Sequence, residues 1–257
     1  SLRRAVLQET RSFFLAEAVH KEAISAEYSD SFRGYQRLRV NRTQGQEDLH
    51  EGLDFFSEST KGQVTGVPSN HGINQWPNRA LFPKFRSTIE TYATHMQQVG
   101  AKLMRACALG LDLDDPNYFS QYFKDPFWNM RLVYYPPIQA AAANNNSGGL
   151  GVGEHTDYGI FTMILADECP NTLQVRSTNS NEWVFVEPIP DAFICNVADM
   201  LATWTNGIYR STPHRVLPPQ NTTGRVSVPF FYDPSYDAVI QPVDELVGRS
   251  GQPPSFA

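Results

Sequence analysis

Apolar positions follow one period in the first half of the chain and another in the second. Leu2, Val6, Phe13 and Phe14 fall on one side of a helix, which predicts helix from Leu2 to about His20. Ile89, Tyr92, Met96, Val99, Leu103 and Ala106 recur every three or four residues. They predict a long helix over about Lys84–Leu109, with Gly110 as its C-cap. Between these two, Phe32–Phe56 is interrupted by Gly34, Gly45 and Gly52, and Phe32-Arg33-Gly34-Tyr35 reads as a short strand or turn. Ser57–Ala80 is rich in Gly, Pro, Ser and Asn and reads as a long surface loop. Asp114–Tyr122 adds a short helix. After Asp125 short apolar runs alternate with turn residues. Strands are expected at Met130–Tyr135, His155–Leu165, Leu173–Val175, Trp183–Val186, Phe193–Val197, Arg215–Leu217 and Val226–Tyr232. Ala140–Gly153, rich in Ala, Asn and Gly, reads as a flexible insertion between two strands. The fold class is therefore α+β, with N-terminal helices bracing a β-sandwich in one domain. The helical part covers about 1–125 and the β core about 126–237.

Composition narrows the function classes. The chain has 257 residues, 41% of them hydrophobic and 12% aromatic, enough to bury a sizeable core. No apolar run is long enough to span a membrane. A formal charge of -6 argues against a nucleic-acid-coating protein, because phosphate binding rests on clustered Lys and Arg. A small anionic ligand held by one or two arginines stays open. Cys107, Cys169 and Cys195 are too few and too far apart for a disulfide framework or a C-x-x-C site. They read as buried free thiols in a reducing, cytoplasmic setting.

Two histidines carry chemistry. His155-Thr156-Asp157 opens an apolar run, and on a strand residues two apart share a face, so imidazole and carboxylate can converge. His214 begins a later run, Ser211-Thr212-Pro213-His214-Arg215-Val216. Two His and one carboxylate form the facial triad of a non-haem Fe(II) site, with positions open for O2 and a co-substrate. Further on, Arg225-Val226-Ser227 can present a guanidinium fork and a hydroxyl to one carboxylate. A structural ion pair is the alternative for Arg225. His50, in Asp48-Leu49-His50-Glu51, looks ligand-like, but its place in the helical half suits a surface or satisfied core histidine.

In order along the chain stand His155-Thr156-Asp157-Tyr158-Gly159, Leu173-Gln174-Val175, Trp183, Asn206-Gly207-Ile208-Tyr209, His214-Arg215-Val216 and Arg225-Val226-Ser227. This series resembles the Fe(II)- and 2-oxoglutarate-dependent dioxygenases of the isopenicillin N synthase-like superfamily. Phe32-Arg33-Gly34-Tyr35-Gln36, Gly72-Ile73-Asn74-Gln75-Trp76-Pro77 and Pro126-Phe127-Trp128-Asn129-Met130-Arg131 are similar to a branch holding fungal thymine hydroxylases and bacterial ethylene-forming enzymes. The resemblance implies a double-stranded β-helix, or jelly roll. It implies His155, Asp157 and His214 as iron ligands, and Arg225, Ser227 and Tyr135 as residues holding 2-oxoglutarate. The family's Asn two residues before Tyr135 is here Val133. Arg131 would be the catalytic residue that faces the substrate, with a salt bridge behind the sheet as its alternative, and Phe231 and Trp76 would line the site, with core or lid packing as theirs.

The implied reaction couples oxidative decarboxylation of 2-oxoglutarate to hydroxylation, or a related oxidation, of a small molecule. It uses Fe(II) and O2, with ascorbate as a reductant. Two alternatives differ in class. One is an Fe(II) oxidase of the same fold that does not use 2-oxoglutarate; the other is a non-catalytic jelly-roll ligand-binding protein. Relatives begin with a further strand region and end with a further helix, and the resemblance implies that this chain lacks both.

Overall fold

The computed structural model describes residues 1–59, 71–137 and 149–254. The first predicted helix divides in two: α1, Leu2–Phe14, and α2, Ala18–Glu22. The break lets Lys21 turn inward, where its Nζ donates to Phe14 O at 3.0 Å and to Glu51 Oε2 at 2.6 Å. The long helix α3, Phe85–Gly110, keeps its predicted length and buries Phe85, Ile89, Tyr92, Met96 and Met104. Gly110 is its last residue rather than its cap. Gly100 sits on the buried face because a Cβ there would stand 2.6 Å from the ring of Tyr232. The third predicted helix tightens to a 3-10 turn at Tyr118–Tyr122.

The body has a six-stranded sheet ordered β1-β4-β5-β12-β7-β10 and a four-stranded sheet ordered β6-β11-β8-β9. In the large sheet lie β1 (Gly34–Gln36), β4 (Glu51–Phe56), β5 (Pro126–Tyr135), β7 (Phe161–Ala166), β10 (Ile194–Val197) and β12 (Arg225–Ser235). In the small one lie β6 (Val152–His155), β8 (Leu173–Arg176), β9 (Trp183–Phe185) and β11 (His214–Val216). A separate hairpin pairs β2 (Arg42–Thr43) with β3 (Gln46–Glu47). This is the double-stranded β-helix with helices on one side, as expected. The expected division at residue 126 is not kept, because β1 and β4 from the N-terminal part complete the large sheet.

Alternation along β5 and β12 separates two environments. Met130, Leu132, Tyr134, Val226, Val228, Phe230 and Tyr232 face a core shared with Val6, Phe13 and Phe14 of α1 and the buried face of α3. The opposite face carries Val133 and Tyr135, which pack against Ile164, Leu173 and Val216 between the sheets. After β10 the chain forms α4 (Asp199–Trp204), and after β12 it forms α5 (Asp244–Ser250), whose Leu246 is buried. The cysteines are unpaired as expected, but Cys195 is exposed and Cys107 and Cys169 are half-buried. The expected insertion at Ala140–Gly153 lies mostly outside the described residues, as does the middle of the Ser57–Ala80 loop.

Candidate active site

The predicted strand His155–Leu165 is two strands in different sheets. His155 ends β6 in the small sheet, and β7 begins at Phe161 in the large one. Asp157 therefore lies in the crossing turn and not two places along a strand from His155. The pair converges because the chain changes sheets between them. His214 opens β11, and its Cα partner across the ladder is His155. That register brings the two imidazole rings to 4.2 Å between centroids.

Asp157 Oδ1 stands 3.6 Å from His155 Nε2 and 3.7 Å from His214 Nε2. One ligand atom from each of the three residues lies within 4.8 Å of the others. Each Nδ1 bonds a backbone carbonyl, Gly153 O at 2.8 Å and Thr212 O at 3.1 Å. A carbonyl only accepts, so each Nδ1 carries the proton and each Nε2 presents a lone pair. Asp157 Oδ2 accepts from Thr162 Oγ1 at 2.5 Å and from Asn196 Nδ2 at 2.8 Å. Thr162 and Asn196 are themselves cross-strand partners in β7 and β10. One carboxylate oxygen is thus occupied and the other is left between two imidazole lone pairs. Burial pushes the His214 imidazole below its ordinary value, with Asp157 opposing, and a neutral imidazole is the form that ligates a metal. This donor set fits a divalent iron ion held by three protein ligands.

The three residues line a cavity of about 810 Å³ between the sheets, together with Arg131, Val133, Tyr135, Arg225, Ser227 and Phe231. Register explains the grouping: Arg225 opposes Tyr135 and Ser227 opposes Val133, all on one face. The Arg225 guanidinium lies 5.1 Å from the Tyr135 ring centroid. Arg225 is only 3% exposed, and its Nε and Nη1 have no hydrogen-bond partner. A buried guanidinium with unmet donors fits a carboxylate, so the residues present fit 2-oxoglutarate as well as iron. Burial raises the Tyr135 hydroxyl above its ordinary value, so it stays a donor.

Arg131 shares that face. Its Nη2 donates to Gln36 Oε1 and Asn41 Oδ1, both at 2.8 Å, and its Nε stands 3.3 Å from Asp54 Oδ1. Gly52 leaves room for this side chain, since a Cβ there would be 3.0 Å from Arg131 Nε. Trp76 is not among the cavity residues. It stacks on Phe55, centroids 4.5 Å apart, beneath the guanidinium of Arg86. Its place in the expected lining is taken by Asn41 and His50, which the sequence reading did not assign. His50 is 2% exposed and not on the surface, and only one of its ring nitrogens is satisfied. The one sequence signal was the ligand-like Asp48-Leu49-His50-Glu51 itself.

Comparison with known proteins shows the family. Residues 127–234 match the 2OG-Fe(II) oxygenase superfamily, and residues 1–79 match the family described as non-haem dioxygenase in morphine synthesis N-terminal. Homoarginine-6-hydroxylase 2-ODD-C23 of Glycine max is 38% identical over 95% of this chain and 73% of its own length. The structure of the Neurospora crassa thymine hydroxylase in complex with alpha-KG and thymine superposes with a TM-score of 0.77 at 26% identity, covering 95% of this chain and 76% of that one. JOX2 in complex with 2OG, Fe and JA superposes with a TM-score of 0.76 at 26% identity, over 98% and 69%. The chain belongs to the 2OG-Fe(II) oxygenase superfamily. It is an Fe(II)- and 2-oxoglutarate-dependent dioxygenase of small molecules, using O2. Among the described residues no helix is long and apolar enough to cross a membrane.

Proposed function

We propose that His155, Asp157 and His214 are the iron ligands, that Arg225 and Ser227 with Tyr135 hold the far carboxylate of 2-oxoglutarate, and that Arg131 and Phe231 face the substrate. The observation that carries this reading is Arg225, buried with two unmet donors in the same cavity as the His-Asp-His cluster. When bound, Fe(II) and 2-oxoglutarate supply an O2-dependent oxidation of a C–H bond, with succinate and CO2 as the co-products. The protein's own part is positional. Thr162 and Asn196 hold Asp157 at one oxygen, the carbonyls of Gly153 and Thr212 fix the two tautomers, and Tyr135 donates from its hydroxyl beside Arg225. Val133 and Ile164 keep that end apolar, which strengthens the guanidinium–carboxylate attraction.

The substrate is a small polar molecule with a carboxylate or carbonyl oxygen read by Arg131. The soybean relative is named for an amino acid, and the Neurospora crassa structure holds thymine; both carry such oxygens. Three unpaired cysteines are in keeping with a cytoplasmic setting. The test is succinate release from 2-oxoglutarate with Fe(II) present, in wild type and in Arg225→Ala. Turnover that proceeds without 2-oxoglutarate would instead mark an iron oxidase that uses this arginine for its substrate.

A further inference from the structure

Iron and 2-oxoglutarate leave part of the cavity unexplained. His50 stands immediately before β4, its ring tilted against Tyr135 at 5.7 Å between centroids. Its Nδ1 bonds Gly151 O at 2.9 Å, so that nitrogen is the donor and Nε2 carries a lone pair. Nε2 is buried and has no partner. Asn41 shows the complementary pattern. Its Oδ1 accepts from Arg131, which settles the orientation of the amide, and its buried Nδ2 has no partner. Both residues line the catalytic cavity beside Arg131. Burial and the Arg131 charge push the His50 imidazole down to about 3, so the ring is neutral at ordinary pH. An acceptor and a donor, each desolvated and each unmet, thus flank one arginine.

We propose that His50 and Asn41 are specificity-determining residues: His50 Nε2 accepts an N–H of the substrate while Asn41 Nδ2 and Arg131 donate to an oxygen beside it. The group they read is an oxygen acceptor adjacent to an N–H donor. An α-amino acid head group and a cyclic imide share that chemistry. A keto acid or simple carboxylate would leave His50 Nε2 unmet, and a buried polar atom without a partner is a strong means of rejection. The proposal rests on the reading that Arg131 faces the substrate.

The experiment is calorimetric titration of the iron- and 2-oxoglutarate-loaded chain under anaerobic conditions, with L-homoarginine and, separately, thymine. The two arms distinguish the amino acid from the imide. His50→Asn keeps a donor where Nδ1 stands and deletes the acceptor; His50→Gln keeps an acceptor at the reach of Nε2 and gives up the Gly151 contact. The expected result is that His50→Asn weakens the probe that wild type holds by about tenfold or more. His50→Gln retains most of the affinity, and 2-oxoglutarate binds all three proteins equally. The des-amino analogue of homoarginine, or N,N-dimethylated thymine, loses affinity for wild type and does not distinguish it from His50→Asn. Unchanged probe binding in His50→Asn overturns the proposal, and so does equal weakening of probe and 2-oxoglutarate, which marks a purely structural histidine. Wild type that binds neither probe overturns the amino-acid and imide assignment. Succinate release by wild type, measured in parallel, reports the underlying oxygenase reading by itself.

Discussion

Arg225 and His50 line the same cavity, and both keep buried polar atoms without a protein partner, yet they reach it by different routes. Arg225 is presented by a long central strand, with Ser227 two places on and Tyr135 opposite, all fixed by one ladder. His50 sits where an irregular segment enters β4, and it faces the cavity only through contacts about a hundred residues away in sequence, such as Gly151. Both ends join segments about ninety to a hundred residues apart; the proposed co-substrate end does so through regular ladder register, and the proposed substrate end through irregular loop packing. Regular strands suit a ligand common to every turnover, and an irregular segment can vary without disturbing the sheet.

Substitutions can break or sharpen that contrast. The largest effect belongs to the cluster both ends serve: Asp157→Ala removes its only carboxylate. Succinate release is expected to fall by more than the roughly 100-fold that follows loss of an outer partner, with iron content falling in parallel. Arg225→Ala comes next, raising the 2-oxoglutarate requirement on the order of 100-fold in steady-state kinetics. A smaller rise would mean that Ser227 and Tyr135 carry the carboxylate. Thr162→Val leaves Asp157 Oδ2 with Asn196 alone, and iron titration should show about a tenfold weaker site. Arg131→Ala should depress substrate oxidation about tenfold while uncoupled 2-oxoglutarate decarboxylation is kept. Equal loss of both would erase the distinction between the two ends.

The smallest effect is on stability. His50 is lowered to about 3 by burial first and by Arg131 next. Between about pH 6.5 and pH 3 the unfolded chain binds a proton at this residue and the folded chain does not. Stability from His50 is therefore present above pH 6.5 and lost as pH falls through that window, at up to about 1.4 kcal/mol per pH unit. His50→Asn should flatten the slope relative to wild type in denaturant titrations at pH 7 and pH 5. Parallel slopes would mean that the folded protein protonates this histidine.

The same contrast explains what could be read in advance. That His155, Asp157, His214, Arg225 and Ser227 share one cavity was legible because their motifs are short and stand in a fixed order. The face-sharing argument for His155 and Asp157 nevertheless failed, since the chain leaves one sheet between them and a turn does what a strand was expected to do. The strand β4 was illegible because Glu51-Gly52-Leu53-Asp54 combines poor strand formers. Gly52 and Asp54 serve Arg131 rather than local preference: one leaves it space and the other pairs with it. Trp76 was assigned to the lining on its motif, but Phe55 and Arg86 sandwich it elsewhere. Asn41 carries no pattern and His50 only the ligand-like Asp48-Leu49-His50-Glu51; the register of β4 on β5 brings His50's neighbourhood to Arg131, and Asn41 meets it through its own side chain.

The strand that ends in His155 lies at the outer margin of the small sheet and is gripped there by the stretch around Asp48. Leu49 N donates to Leu150 O, Gly153 N to Asp48 Oδ1, and Gln44 Nε2 to Glu154 O. Each of these bonds closes a loop of about a hundred residues, the kind of contact a folding chain makes slowly and late. Competence to take up iron should therefore lag behind the collapse of the core. In a stopped-flow refolding experiment, tryptophan burial should precede metal capture by a distinct kinetic phase.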